Sequence, residues 1–276
     1  MQELANNGGV PRAERRRPPE TVLQAWRVSS LEPLPGGQGT TFRSESVVLK
    51  PVGNTTEAEW LASVLDKLKV PTDIRVIKPI RAADGRWVVD GWSAWRHLEG
   101  HGRAGAWREA LEVSDSFHGA TATVPRSACI DTDNPWAVGA AFAWGEIELE
   151  IPDRFKAVVD AYRSRRRPLE LQNQLIHSDI CNNILFHDDL PPAVIDISPQ
   201  WRPKQFADAI AVVDAIGWFG GGAEAGAALR EEIGEQLAVR AALFRLGSAL
   251  VLFQGRGNRL AGEVAAYERI LDLLTA

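Results

Sequence analysis

The 276-residue sequence is poor in cysteine and contains no long apolar run. Its two cysteines, Cys129 and Cys181, lie 52 positions apart and outside any CxxC pair, so we expect a reducing compartment and no disulfide scaffold. The N-terminal residues lack the apolar stretch of a signal peptide, and the longest apolar run, around 209–219, is interrupted by Asp214. That run is too short to cross a bilayer. These features predict a cytoplasmic protein that does not enter the membrane.

The charge balance provides no overall basic field. Lys and Arg total 31 against 36 Asp and Glu, which gives a formal net charge of −5 at pH 7. Such a charge does not favour nucleic acid as a partner. Apolar residues make up 45% and charged residues 24%, which excludes disorder over most of the length. The length itself suggests one or two domains.

Several common catalytic signatures are also absent. The sequence has no Gly-Lys-Ser/Thr, which excludes a Walker-type phosphate loop, and no HExxH, GxSxG or EF-hand loop. The glycine-rich turn near position 37 has Phe42 where the third glycine of a dinucleotide fingerprint would stand. A Rossmann site is therefore not predicted.

Composition and periodicity divide the chain into three regions. Residues 1–18, rich in Asn, Gly, Pro and Arg, are predicted to form a flexible arm. Residues 19–101 combine a glycine-rich turn, short strands and a helix over 54–68, which predicts a small antiparallel sheet lobe. Residues 102–276 are predicted to be mostly helical, with a small hairpin between 184 and 195. The predicted fold class is α+β with two lobes.

The most informative segment is LIHSDICNNILF, residues 175–186. It places a histidine, an aspartate and two amides between apolar runs, and Asp196 ends a further apolar run thirteen positions after Asn183. If the two runs pair as a hairpin, Asp179, Asn183 and Asp196 come together at one end of it. Carboxylate and amide oxygens, without thiolates or several imidazoles, suit magnesium.

Phosphoryl transfer needs a loop over the phosphates, a lysine, an acid that holds the lysine, a base and metal ligands. The chain offers residues of these types in that order, namely Gly36, Gly37, Gln38, Gly39, Lys50, Glu59, Asp179, Asn183 and Asp196. Lys50 ends a predicted strand, and Glu59 lies on the helix that follows. A glutamate near a helix start could equally complete a capping box, so its assignment stays open. The order of these residues predicts a phosphotransferase.

The pattern His177-x-Asp179 with Asn183, followed by Asp196, resembles the small-molecule kinases of the aminoglycoside phosphotransferase and choline kinase type. The strongest match is HSDICNNILF followed by PPAVIDISPQWRP, which is similar to a bacterial branch of that superfamily. The resemblance extends from about position 31 to the C-terminus. It implies a protein-kinase-like fold with an ATP or GTP site between two lobes, magnesium, and phosphorylation of a hydroxyl group on a small molecule.

The resemblance also implies roles for individual residues. Asp179 would be the catalytic base, and Asn183 and Asp196 would hold magnesium. Lys50, paired with Glu59, would contact the phosphates together with the glycine-rich turn.

Two further residues complete the predicted site. By the same resemblance Asp208 is expected nearby as a supporting acid, and we expect His177 to brace the loop through hydrogen bonds. The sequence departs from the family in one spacing, because Asn183 follows Asp179 by four positions where the family has five. Asn182 therefore remains an alternative metal ligand.

The departure leaves a second class of function open. A kinase-like fold without catalysis could bind a ligand or a partner, and a hydrolase that uses Cys181 is a weaker alternative. The excess of acidic residues beyond position 102 hints at an amine-bearing acceptor. Glu146, Glu148, Glu150 and Asp153 form one acidic stripe, which could attract a cationic substrate or could be a solvated face.

Overall fold

The computed structural model describes residues 17–34, 40–130, 134–253 and 263–276. The flexible arm predicted for residues 1–18 lies outside the described residues except for its last two positions, and so does all of the glycine-rich turn Gly36–Gly39. The chain divides into two compact units. The first comprises Met1–Gly102 and Leu185–Asp196, and the second comprises Arg103–Ile184 and Ile197–Ala276.

The first unit is built on an antiparallel sheet. Its helices and strands up to Gly102 are α1 (Glu20–Trp26), β1 (Glu32–Pro33), β2 (Phe42–Ser44), β3 (Val47–Pro51), α2 (Thr55–Lys67), β4 (Arg75–Val76), β5 (Pro79–Ile80), β6 (Val88–Val89) and β7 (Trp92–Arg96). The strand order is β1-β2-β3-β7-β5, and β6 also pairs with β7. The turn between β6 and β7 uses Asp90 and Gly91 at φ of 49° and 75°, values that an Asp-Gly pair tolerates. Leu49 and Trp92 are fully buried in the core of this unit.

Helix α2 follows the sequence pattern closely. The side chain of Asn54 accepts a hydrogen bond from the Glu57 backbone N–H at 3.1 Å, which satisfies one of the unpaired donors of the first turn. Leu61 and Leu65, four positions apart, are buried. The helix is therefore set by its cap and by one apolar face.

The segment 185–196 belongs to the first unit, whereas the sequence placed it in the helical lobe. Strand β9 (Ile184–Leu185) neighbours β10 (Ala193–Val194), as predicted, and β10 pairs in parallel with β4. A bridge between His101 and Phe186 adds a further main-chain contact. The pairing with β4 is non-local, so no local pattern could indicate it.

The second unit is mainly helical, as predicted. Its elements are α3 (Trp107–Thr121), α4 (Pro135–Trp144), α5 (Asp153–Arg165), β8 (Asn173–His177), β11 (Pro199–Pro203), α6 (Lys204–Trp218), α7 (Gly222–Ala228), a π-helical turn (Leu229–Ile233), α8 (Glu235–Leu252) and α9 (Val264–Thr275). Strands β8 and β11 pair antiparallel, with Pro199 opposite His177. Among the described residues, no helix has both the length and the apolar character that crossing a membrane requires. The α+β fold class is confirmed.

Helices α4 and α8 approach each other through glycine. A Cβ atom on Gly139 would lie 2.7 Å from the backbone nitrogen of Ser248 and 2.8 Å from the carbonyl oxygen of Phe244. Since both neighbours are backbone atoms, they could yield only if the helix moved. On the other side, a Cβ on Gly247 would lie 2.8 Å from the ring of Phe142. Helix α8 is thus fixed against α4 at van der Waals distance.

Candidate active site

The short loop that follows β8 carries two of the predicted site residues.

 Relative to the kinase pattern found in the sequence, this loop retains Asp179 and an amide, Asn183. Leu175 and Ile176 of β8 are buried, and the chain then turns into a 3₁₀ helix over Ile180–Asn183. The apolar strand therefore anchors a polar loop that begins at Asp179.

Both amides of the loop donate hydrogen bonds to Asp179. The Nδ2 of Asn182 donates to Asp179 Oδ1 at 2.9 Å. The Nδ2 of Asn183 donates to the Asp179 carbonyl oxygen at 2.9 Å and to Oδ2 at 3.2 Å. The Asp179 side chain keeps 24% of its surface exposed. Its carboxylate is thus held in one orientation while part of the side chain remains exposed.

A buried ion cluster lies behind this carboxylate. Arg245, on α8, donates from Nε to Asp214 Oδ1 at 2.8 Å and from Nη2 to Asp214 Oδ2 at 2.5 Å. The same Nη2 donates to Asp179 Oδ1 at 2.5 Å. Asn182 Nδ2 also reaches Asp214 Oδ2, at 3.1 Å. Arg245 and Asp214 are both buried, so one cation is shared by two carboxylates inside the unit.

The electrostatics of the cluster follow from this burial. Burial raises the pKa of the Asp214 carboxyl, and the facing Arg245 counteracts that effect. Burial lowers the pKa of the Arg245 guanidinium, but Asp214 and Asp179 together raise it further, so the net change is upward. Asp214 accepts two charge-assisted hydrogen bonds from Arg245, which is the bonding pattern of an ionised carboxylate. The guanidinium is therefore a fixed positive charge beside Asp179.

Cys181 lies in the same loop but is a poor nucleophile. Burial raises the pKa of its thiol to about 12, and the charges of Asp214 and Asp179 act in the same direction. The thiolate, which is the reactive form, is scarce at neutral pH under those conditions. This environment argues against the hydrolase hypothesis.

His177 has the position that a bracing residue requires. Its imidazole is buried, and Nδ1 accepts hydrogen bonds from the backbone N–H groups of Asp179 at 3.3 Å and Ser198 at 3.2 Å. The ring therefore links the loop after β8 to the residue that precedes β11.

Asp208 reaches the loop indirectly, through a buried relay on α3. The backbone N–H of His177 can only donate, so His118 Nε2 accepts from it, at 3.0 Å. His118 Nδ1 then carries the proton and donates to Ser114 Oγ at 2.9 Å, and that hydroxyl donates to Asp208 Oδ1 at 2.7 Å. Burial raises the pKa of Asp208, although Lys204 and Ser114 lower it. Asp208 thus supports the strand that carries the loop, and it does not bond to Asp179 itself.

The relay predicts a specific pH dependence of stability. Burial, followed by the charges of His177 and Lys204, lowers the pKa of His118 from 6.5 to about 3. Between these values the unfolded chain binds a proton that the folded chain does not, so the free energy of unfolding falls as the pH is lowered. At pH 5 the loss from this group is about 2 kcal/mol relative to pH 7.

The variant His118→Gln isolates this contribution. Denaturant unfolding is measured at pH 7 and pH 5. The free energy of unfolding that the variant loses between these pH values should be smaller than the wild-type loss by about 2 kcal/mol. Equal losses in the two proteins would mean that His118 titrates normally in the folded state.

In the first unit, Lys50 and Asp196 form an ion pair. Lys50 lies on β3 opposite Ser93 of β7, and its Nζ donates to Asp196 Oδ1. Asp196 has a φ of 49°, a left-handed conformation that aspartate adopts more readily than most residues. The ion pair therefore joins two predicted site residues that lie 146 positions apart in the sequence.

The predicted pairing of Glu59 with Lys50 is not found among the described residues. Glu59 lies on α2 with its side chain exposed, and the ion-pair partner of Lys50 is Asp196. The helix buries the face that carries Leu61 and Leu65, which turns Glu59 towards solvent. The carboxylate that holds the lysine in this structure is Asp196.

The donor set fits magnesium in its chemistry. Asp196 offers a carboxylate that already accepts a cation, and Asn183 offers an amide oxygen, since its Nδ2 is engaged by Asp179. Magnesium binds hard oxygen donors and keeps several waters, so few protein ligands suffice when phosphate supplies the others. Among the described residues, no three His, Cys, Asp or Glu side chains form a group suited to a metal ion.

The sequence analysis missed four buried polar residues that support Asp179 or the strand before it. Arg245, Asp214, His118 and Ser114 were not assigned to the site, although each has a buried polar role in the structure. A signal existed for two of them, because Asp214 and Arg245 are charged residues inside strongly apolar helical runs. A charge in such a run is expected to have a partner.

Comparison with solved structures places this fold among small-molecule phosphotransferases. Spectinomycin phosphotransferase with bound AMP is 14% identical over 93% of this chain and 96% of that chain, with a TM-score of 0.56. Choline kinase from Streptococcus pneumoniae is 15% identical over 90% and 94%, with a TM-score of 0.56. A thermostable mutant of an aminoglycoside phosphotransferase in its apo form is 13% identical over 89% and 94%, again with a TM-score of 0.56.

These likenesses define the fold. The chain has the fold of the aminoglycoside phosphotransferases and of choline kinase, which confirms the fold that the sequence motifs predicted. No family model matches the sequence, and no curated protein is similar to it by sequence.

Proposed function

We propose that the protein is a small-molecule kinase that transfers the γ-phosphoryl group of ATP or GTP to a hydroxyl group of a small acceptor. The observation that carries the proposal is the arrangement of Asp179. A partly exposed carboxylate is fixed by two amides and an arginine at the end of a buried strand. Fixed orientation is what a base for an incoming hydroxyl requires.

The ion pair in the first unit supports the same proposal. Phosphoryl transfer needs a lysine for the phosphates and a carboxylate for the metal, and Lys50 and Asp196 are already adjacent. In this assignment Asp196 and Asn183 would hold magnesium, with Asn182 as the alternative amide. Lys50 would neutralise phosphate charge, and the glycine-rich turn 36–39 would cover the nucleotide.

The fold provides further support. Among the similar structures, spectinomycin phosphotransferase is described with AMP, and an aminoglycoside phosphotransferase is described with AMP-PNP and hygromycin B. As part of the proposal, we infer that this chain also binds a nucleotide and a hydroxyl-bearing small molecule.

The chain's own residues would act mainly by positioning. Asp179 would accept a hydrogen bond from the acceptor hydroxyl, orient its oxygen and finally take its proton. Asn182 and Asn183 would hold the carboxylate of Asp179 in place during that step. Magnesium, when bound, would neutralise charge on the phosphate oxygens.

The acidic stripe does not define the acceptor class. The acidic stripe contains two glutamates that already have cationic partners, because Arg202 binds Glu146 through both carboxylate oxygens and Arg163 pairs with Glu148. We therefore base the proposal of an amine-bearing acceptor on overall charge and fold, and not on this stripe.

The alternative, a kinase-like binding protein without catalysis, is favoured by one observation. Glu59 does not hold Lys50, although the kinase pattern assigns that role to an acid on this helix.

A nucleotide-consumption screen tests the proposal. The protein is incubated with MgATP or MgGTP and a panel of amino sugars, amino alcohols and simple sugars, and nucleoside diphosphate release is followed. We expect release that depends on at least one acceptor, together with a rise in melting temperature on adding the magnesium nucleotide. A thermal shift without turnover would favour the binding protein, and the absence of both would refute a nucleotide site.

A further inference from the structure

We infer that Arg245 is a positioning residue that sets the orientation of the Asp179 carboxylate from the buried helix α8. The inference rests on the proposed function, because it concerns the base of that reaction. Among the described residues, Arg245 forms no hydrogen bond with the loop backbone or with Oδ2 of Asp179. It acts through Asp179 Oδ1 and through the neighbouring Asp214.

Among the described residues, the guanidinium of Arg245 donates hydrogen bonds to these two carboxylates. Nε and Nη2 make a two-pronged contact with Asp214, and Nη2 continues to Asp179. The remaining nitrogen, Nη1, is buried and has no hydrogen-bond partner among the described residues. Because a guanidinium is planar, fixing Nε and Nη2 on Asp214 also fixes the direction in which Nη2 faces Asp179.

Asp214 serves as the anchor of this arrangement. It is fully buried on α6, and it also accepts a hydrogen bond from Asn182 at 3.1 Å. Asn182 in turn donates to the same oxygen of Asp179 that Arg245 contacts. Two independent donors tied to Asp214 therefore converge on Asp179 Oδ1.

The support of Arg245 is itself rigid. Helix α8 packs against α4 at the glycine contact of Gly139 with Ser248, one turn beyond Arg245. The Arg245 guanidinium also lies 6.0 Å from the ring centre of Trp136 and 5.3 Å from that of Phe244. A side chain enclosed in this way has few alternative rotamers.

The hydrogen bond between Arg245 and Asp179 joins residues that are 66 positions apart in the sequence. The loop after β8 supplies the reactive carboxylate, and α8 supplies its orientation. A base that is displaced by about 1 Å can lose about a hundredfold in rate, which sets the size of the expected effect.

The first test is Arg245→Lys, assayed with MgATP and the best acceptor from the screen. Lysine keeps the charge but cannot reproduce the two-pronged contact. We expect kcat to fall about a hundredfold while the KM for MgATP changes by less than about threefold. The matched control is Arg240→Lys on the same helix, because Arg240 is equally buried and donates only to carbonyl and amide oxygens of Gln236 and Arg167.

The control should keep kcat within about threefold of the wild type even if its melting temperature falls. A folded Arg245→Lys protein with kcat within threefold of the wild type would overturn the inference. So would an equal fall of kcat in both variants, because Arg245 would then have only a structural role.

A second test does not depend on activity. In an Asp214→Asn background, Arg245→Met removes the arginine without leaving a buried, unpaired carboxylate. In this background, Asp179→Asn should shift the unfolding midpoint when Arg245 is present. The same substitution should cause no shift when Arg245→Met has been introduced as well. Equal shifts would show that Arg245 does not hold Asp179. If the screen finds no turnover but the shifts differ, the proposed function fails while the contact stands.

Discussion

Replacing Asp179 by asparagine should nearly abolish phosphoryl transfer and leave nucleotide affinity almost unchanged. Asparagine has the same shape but cannot accept the hydroxyl proton, and removal of a general base typically costs about 10²–10⁴-fold in rate. Nucleotide binding relies on other residues in the proposed assignment, namely Lys50, Asn183 and Asp196. The measurement is kcat for acceptor-dependent ADP release, with the MgATP dissociation constant determined by calorimetry.

The Asp179→Asn protein should fold, for an electrostatic reason. One buried guanidinium, Arg245, faces two carboxylates, so removing the charge of Asp179 leaves a balanced pair with Asp214. A lone buried charge, the usual cause of severe destabilisation, is not created. The rate loss can therefore be read as a catalytic effect.

An exposed aspartate of the same unit provides the control. Asp160 lies exposed on α5, and Asp160→Asn should retain the wild-type rate. If Asp179→Asn retained a rate within about threefold of the wild type, Asp179 would not be the base and the assignment would be wrong.

Replacing Asp196 by alanine should remove the magnesium-dependent part of nucleotide binding. The carboxylate is the charged metal ligand of the proposed site, and its loss should weaken MgATP binding by about a hundredfold, or roughly 3 kcal/mol. Calorimetric titration with ATP, in magnesium and in EDTA, measures this contribution directly. In the variant the two titrations should give the same affinity.

The ion pair with Lys50 does not complicate this experiment. The Asp196 side chain is 57% exposed and that of Lys50 is 24% exposed, and ion pairs of that kind contribute about 0–1 kcal/mol to stability. The variant should therefore fold with little loss from the missing pair.

Asp90 offers a matched control for the backbone. Asp90 and Asp196 both have a φ of 49° and both belong to the first unit, so alanine meets the same left-handed strain at each position. Asp90→Ala should lose a similar amount of stability and keep its magnesium dependence. Loss of that dependence in both variants would attribute the effect to strain and not to the carboxylate of Asp196.

Much of the fold was predictable because it depends on local patterns. The cap at Asn54 and the spacing of Leu61 and Leu65 indicated α2, and the polar break after an apolar strand indicated the loop at Asp179. Such patterns act over one or two helical turns or along a single strand, and the sequence records them completely. The order of Lys50, Asp179 and Asp196 then suggested the class of chemistry.

The ion pairs were harder to predict from the sequence. Lys50 was expected to pair with Glu59, nine positions away, yet its partner is Asp196. Successive residues of a helix point about 100° apart around its axis. A shift of one position along the helix therefore decides whether a carboxylate faces a lysine or solvent.

The sequence by itself determined α2, the mixed α+β character of the chain and the residue types needed for phosphoryl transfer, because caps, periodicity and motif order are local properties. Tertiary structure alone decided that Arg245 and Asp214 enclose Asp179, and that a histidine and a serine connect Asp208 to β8. The physical reason is that a buried charge must find its partner wherever folding brings one, and sequence spacing does not record that distance.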